Sequence, residues 1–264
     1  MDYTIIDCHT HVYPDKIAAR AVESIGSFYD IPMNLDGTVD TLLRVSRAAG
    51  VSRCVVHAVA VDAAHVASIN DFLIRTVQAH PDRLIGFASL HPDMEEPEKE
   101  LERVLKAGAQ GVKLHPDMQH FRLDEARADK LYAVCEGVCP MLFHTGDPRY
   151  CNSNPTLVPP ILKRHPRLQL ICAHFGGYSE WDSAAQCLAG TGVYVDSSSS
   201  LAFLRPERAR ELIALYGEDR VLFGSDYPMW NVRQEKDALL SLGLSETALR
   251  NIFSGNLLSL LKEA

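Results

Sequence analysis

One hydrophobic pattern returns along the whole chain. At intervals of about 25 to 30 residues, a turn signal precedes a short apolar run and a polar or Gly/Pro cluster follows it, a spacing that suits a strand plus a helix. The runs lie in "YTIIDCHTH", "GVSRCVVHAVA", "HPDRLIGFASLHP", "GAQGVKLHP", "CPMLFHTGDP", "HPRLQLICAHFGG", "GTGVYVDSSSS" and "DRVLFGSDYP". Each is too short for a helix, rich in Val, Ile and Leu, and apolar on both faces, as strands buried in a parallel sheet are. Between them the period changes. "HVASINDFLIRTVQAH" repeats apolar residues at Val66, Ile69, Phe72, Leu73 and Val77, and "PEKELERVLKAG" begins with acids and stops on Gly108. That charge order suits the helix dipole, and glycine suits a helix end. "RPERARELIALYG" carries a proline near its start and a glycine at its end, the asymmetry expected of a helix.

Eight such units predict an α/β fold, a (β/α)8 TIM barrel forming a single domain over residues 1–264, with its active face built from the loops after the strands. The alternative is an open doubly wound sheet, but no GxGxxG follows the first strand to recommend it. Two parts exceed a minimal barrel. Roughly 40 residues separate His11 from the second strand, and a loop of that length is functional or disordered. It carries Phe28, Tyr29 and Met33 among Gly26, Pro32 and Gly37, which punctuate the chain against regular structure. A loop leaving beside His9 and His11 is expected to cover the mouth as a lid; a dimer contact or a plain surface covering is the rival reading. Near the C-terminus, "SETALRNIFSGNLLSLLKEA" predicts a capping helix pair opened by Ser245.

Composition removes several function classes. With 26 basic against 34 acidic residues the net charge is −8, which gives no basic footprint for nucleic acid. No run approaches the roughly 18 apolar residues of a membrane span. The seven cysteines are odd in number, without disulfide rhythm. Cys135 and Cys139 match neither a zinc-ribbon nor a thioredoxin spacing, and Cys54 and Cys172 read as small core residues. No signal-like leader is evident, so a cytoplasmic setting is expected. A homo-oligomer is compatible with everything above.

The strand ends then supply chemistry. In chain order they carry His9, His11, His57, His91, Lys113, His115, His144, His174, Asp196 and Asp226. One histidine at a strand end is unremarkable, but several at the same end of one barrel point to a divalent metal. Asp7, His9 and His11 alternate along one strand and are expected to share a face. His80 and His165 precede strands, on the face that serves stability, and His65 and His120 also stand away from strand ends.

HxH on the first strand, "LFHTG" on the fifth, "CAHFGG" on the sixth and "LFGSDYP" on the eighth resemble the amidohydrolase superfamily. The likeness is to the branch of aminocarboxymuconate-semialdehyde decarboxylase-like enzymes and metal-dependent hydrolases, and it runs from Asp7 through "NIFSGN". The resemblance implies that His9, His11, His144 and Asp226 hold one divalent ion. Zinc suits that donor set best, with manganese or iron also suited. An open position would take water, acidified toward a pKa of roughly 7. His174 is implied to bind a second metal or to hydrogen-bond the reacting water or substrate, and Asp226 to accept a proton. Asp7 is expected behind the ligands, orienting a histidine.

Other readings are less constrained. In binuclear members of the superfamily a strand-four lysine is carbamylated and bridges two ions. Here the favoured reading of Lys113 is an ammonium that pairs with an anionic substrate, with a structural salt bridge as the blander one. His115 is expected to line the pocket. Arg149 could clamp a carboxylate or be a solvated loop residue. Tyr227 and Trp230 are expected as an apolar wall; Ser197 to Ser200 follow strand seven, where small hydroxyls could contact substrate, with a flexible polar loop as the safer reading. The activity implied first is metal-dependent hydrolysis of an amide, lactone or ester-like bond in a small molecule, with His174 stabilising negative charge and Asp226 moving the proton. The alternative is a non-oxidative decarboxylase or hydratase, a lyase acting on a small carboxylic acid. A non-catalytic metal-binding barrel is the third.

Overall fold

The computed structural model describes residues 3–262. The eight apolar runs form eight parallel strands ordered as in the sequence: β1 Ile6–His11, β2 Arg53–His57, β3 Leu84–Ser89, β4 Ala109–Leu114, β5 Met141–Phe143, β6 Leu170–Cys172, β7 Tyr194–Asp196 and β8 Val221–Leu222. Closure comes from backbone bonds between the first and last strand regions. Cys8 N–H donates to Phe223 O at 2.8 Å, Asp226 N–H to His9 O at 2.8 Å, and His11 N–H to Tyr227 O at 2.7 Å. The fold is a TIM barrel. An open doubly wound sheet is ruled out, because the strand order never reverses.

The strands are apolar on both faces for a visible reason. Ile6, Cys8, Val55, Ile85, Phe87, Leu142, Ile171 and Leu222 form one buried cluster inside the barrel. Their alternating neighbours, such as Cys54, Leu84, Met141 and Leu170, pack outward against the helices. The helices are α1 Asp15–Tyr29, α2 Val39–Ala48, α3 Val66–Ala79, α4 Pro97–Lys106, α5 Ala126–Cys135, α6 Val158–Arg164, α7 Trp181–Leu188, α8 Pro206–Tyr216, α9 Val232–Ser241, α10 Glu246–Arg250 and α11 Asn256–Leu261. A π-helical turn, Asn251–Gly255, joins the last two, and Ser245 caps α10 by accepting from Ala248 N–H at 3.1 Å. Among the described residues, no helix is long and apolar enough to cross a membrane.

The long loop expected after the first strand is instead two helices, α1 and α2. Gly26 does not break α1. A Cβ there would stand 3.0 Å from Ile31 O and 3.3 Å from Met33 Cγ, so the glycine lets the returning chain cross closely over the helix. The chain leaves α1 through Asp30, which adopts the left-handed conformation as the helix cap.

Candidate active site

The mouth is shaped first by an irregularity in β1. Asp7 pairs with Cys54 and Thr10 with Val56, so two residues of β1 oppose one of β2. Such a bulge breaks strict alternation. Asp7 therefore does not share a face with His9 and His11. Its carboxylate accepts from His9 N–H at 3.2 Å, Ser225 N–H at 2.9 Å and the Ser225 hydroxyl at 2.5 Å. It ties the bulge to the turn after β8 and touches no imidazole among these contacts. Gly224 in that turn has no room for a side chain, since a Cβ would lie 2.9 Å from His9 Cβ.

Around the bulge the strand ends bring a buried cluster of imidazoles together. Asp226 Oδ1 lies 3.4 Å from His9 Nε2 and 3.5 Å from His11 Nε2. His9 Nδ1 faces Asp196 Oδ2 at 2.9 Å. With the Nδ1 proton donated to that carboxylate, Nε2 keeps its lone pair, which the Lys113 ammonium approaches at 3.2 Å and which a bound cation would take over. A second relay fixes His144. His174 Nδ1 faces Ser198 O at 3.1 Å, and a proton there leaves its Nε2 to accept from His144 Nδ1 at 3.0 Å. His144 Nε2 is then a bare lone pair, with no hydrogen-bond partner among the described residues. His174 and Asp226 both hold left-handed backbone, φ 60 in each, strain of the kind that gathers at functional sites.

Protonation states follow from burial. Burial, with help from the Lys113 ammonium, pushes His9 down to about 4. Burial likewise lowers His11 and His174, and sends His57, His115 and His144 well below the ordinary imidazole range. All are neutral at neutral pH, the form that binds metal. For Asp226 and Asp196 burial opposes the charge. Hydrogen bonds work against it, from the His11 ring at Asp226 and from the His9 ring and the Ser198 hydroxyl at Asp196, and both carboxyls lie below the ordinary carboxylate range.

The donor chemistry fits a divalent ion. Among the described residues, three groups place their ligand atoms within 4.8 Å of one another: His9, His11 and His57; His9, His174 and Asp196; and His115, Asp117 and His144. Neutral imidazoles, ionised carboxylates and an unpartnered, buried His144 Nε2 are what such an ion requires.

Above the cluster opens a cavity of about 1050 Å³. His9, His11, His115, His144, His174 and Asp226 line its inner end, and α1 roofs it with Ile17, Ala21, Ile25, Phe28 and Tyr29. The Tyr29 hydroxyl bonds His115 Nε2 at 2.8 Å, and His115 stacks on His144 with ring centroids 4.0 Å apart. Phe28, Tyr29 and Met33 thus stand over the mouth, where the lid reading put them, but mainly on a helix.

Several residues take other places than expected. Lys113 is fully buried, its Nζ 3.2 Å from His9 Nε2, and lies beneath the cavity lining rather than in it. Burial lowers its ammonium to about 8. Arg149 is spent on the lid: it makes a bidentate pair with Asp147 at 2.9 and 2.7 Å and donates to Phe28 O at 2.8 Å. Tyr227 faces away, its hydroxyl bonded to Thr38 O at 2.8 Å just before α2. Trp230 is not a cavity wall; its Nε1–H donates to Ser199 Oγ at 2.8 Å, while Pro228 and Met229 line the cavity. His65 and His120, set aside in the sequence, do line it. His80 lies in a separate depression with Asp40 and Arg83, and His165 pairs with Asp129 at 3.0 Å.

The serine run departs most from its safer reading. Ser197 to Ser200 are buried, not a flexible loop. Ser198 Oγ bonds His174 Nδ1 at 2.9 Å and also Asp196, and Ser199 Oγ donates to Asp226 Oδ2 at 2.5 Å. Their position directly after a strand-end aspartate was the available signal.

No curated protein sequence matches significantly. Among solved structures, a dihydroxybenzoic acid decarboxylase from a Polaromonas species, holding manganese and the inhibitor 2-nitroresorcinol, superposes with TM-score 0.77 at 18% identity, covering 98% of this chain and 97% of that one. The 5-carboxyvanillate decarboxylase of Sphingomonas paucimobilis gives 0.76 at 15%, covering 98% and 99%. A candidate 2-pyrone-4,6-dicarboxylic acid hydrolase from Pseudomonas putida gives 0.69 at 19%, covering 99% and 98%. At these identities the likeness speaks for the fold. The sequence model of the amidohydrolase family matches residues 6–261, and the chain belongs to that family.

Proposed function

We propose that the protein is a metal-dependent lyase that removes carbon dioxide, without oxidation, from a small ring-bearing carboxylic acid. The observation that carries this reading is an apolar, helix-roofed cavity opening directly onto a floor of neutral imidazoles and ionised Asp226. Losing carbon dioxide disperses a localised carboxylate charge, so excluding water from the carboxylate favours the step. Phe28, Tyr29 and Met33 supply the exclusion. Lys16, Arg20 and Arg75, which line the outer cavity, favour an anionic substrate in a chain of net charge −8. Decarboxylation, first weighed as the alternative to hydrolysis, is also the reaction of the dihydroxybenzoic acid and 5-carboxyvanillate decarboxylases.

His9, His11, His144 and Asp226 would hold the ion, zinc or manganese. When bound, it would orient the substrate and draw developing negative charge onto the ring. The chain's own residues do the rest. Asp196 fixes the His9 ring, Ser199 fixes the Asp226 carboxylate, and the His144–His174 relay holds protons at defined nitrogens beside the cavity. The carbon that loses carbon dioxide must gain a proton in exchange; solvent is its source, and His174, which lines the cavity, would pass it on and regain its own from solvent. Hydrolysis of a lactone or amide is the second reading, favoured by the likeness to the 2-pyrone-4,6-dicarboxylic acid hydrolase candidate.

The test is a panel of hydroxybenzoates, lactones and amides given to zinc- or manganese-loaded enzyme. Carbon dioxide release from an aromatic acid, with no label from H2(18)O entering the organic product, is the expected result. Labelled carboxylate from a lactone or amide, with no carbon dioxide from any acid, transfers the assignment to hydrolysis.

A further inference from the structure

We propose that His57 is an additional ligand of the divalent ion, reaching it from the buried wall of the barrel. His57 ends β2, directly in register with His11. It is completely buried, and neither ring nitrogen has a hydrogen-bond partner among the described residues. Its ring stands edge-on to His11 at 4.3 Å and to His9 at 5.0 Å, and the ligand atoms of all three lie within 4.8 Å of one another. It does not line the cavity, so substrate is not the missing partner.

A neutral imidazole carries one N–H and one lone pair, and a buried polar group without a partner demands a physical reason. A purely structural role gives none. The preceding positions of the strand, Val55 and Val56, are apolar and fully buried, and a leucine at 57 would continue them without burying unpaired nitrogens. An ion held by His9 and His11 supplies what the lone pair lacks. Burial keeps the ring neutral, in the form that can donate it. The inference rests on the metal reading above, but not on the reaction.

The experiment measures metal alone, so a failure of the decarboxylase reading would not touch it. Zinc affinity is taken by chelator competition for the full chain and for His57→Leu, with cobalt(II) as the spectroscopic probe. The Leu variant should bind zinc at least about 10–100-fold more weakly, the loss typical of even an outer-shell partner, and its cobalt absorption should change as one imidazole leaves. Zinc affinity within two-fold of wild type overturns the proposal. So does weaker binding with an unaltered cobalt spectrum, which marks a packing role. Should the variant fail to fold, the wild type decides: hyperfine-shifted imidazole N–H signals of the cobalt form should number one more than His9, His11 and His144 account for, and no extra signal overturns the assignment.

Discussion

Glu235 is the clearest case of a residue whose neighbours, not its type, decide its state. It stands in the first turn of α9, 3% exposed, with Oε2 unpartnered. Burial, then the charges of Asp7 and Asp226, raise its carboxyl from 4.5 to about 8. Because the folded pKa is raised, its favourable contribution is complete below about 4.5 and is lost as pH climbs toward 8. By linkage that is on the order of 3 kcal/mol near pH 7. Glu235→Gln should therefore melt higher than wild type at pH 8, with the gap closing as pH falls to 4.5; a gap that ignores pH would contradict the assignment. The same scale explains what could be read from the chain alone. That His9, His11, His144, His174 and Asp226 would meet was legible because strand ends in a barrel converge. Asp7 was misplaced because a bulge cannot be seen in alternation. Arg149 and Tyr227 were misplaced because which side of a loop a long side chain takes depends on partners, Asp147 and Thr38, that only the fold brings close.

At the scale of elements, the strands announced themselves and α1 did not. Ile17, Ala21, Ile25 and Phe28 are spaced four, four and three apart, a helical stripe that now faces the cavity. Gly26 and Pro32 masked that stripe when read as breakers, although the helix ends at Tyr29, before the proline. Tyr29 links this roof to the floor through its 2.8 Å bond to His115, and Arg149 clasps the same helix end. Removing the Tyr29 hydroxyl should loosen the roof without disturbing the ion. Tyr29→Phe is expected to lower kcat/KM by about ten-fold, the size of one hydrogen bond of ~1.4 kcal/mol, with wild-type metal content by mass spectrometry. Loss of metal alongside activity would instead make Tyr29 part of the ion's support.

The molecule as a whole separates chemistry from stability along the barrel axis. His9, His11, His115, His144, His174 and Asp226 gather at one mouth, while the other end is closed by α11, the last described helix. Leu257 and Leu260 of α11 join the interior cluster of Ile6, Val55, Ile85, Phe87, Leu142, Ile171 and Leu222. The sequence showed a capping helix pair but not its destination, since a stripe of leucines fits any apolar surface. Its destination makes it a plug. Each Leu→Ala change in a packed core costs about 2–5 kcal/mol, and these two share one cluster, so their effects should not simply add. Leu257→Ala and Leu260→Ala should each lower the urea midpoint with the slope unchanged, which identifies lost stability rather than a changed denatured state. Zinc affinity, read under native conditions, should stay at the wild-type value, because no ligand side chain belongs to the cluster the plug completes. A midpoint that does not move would place α11 on the surface in solution, and a fall in zinc affinity would show that the two ends of the barrel are coupled.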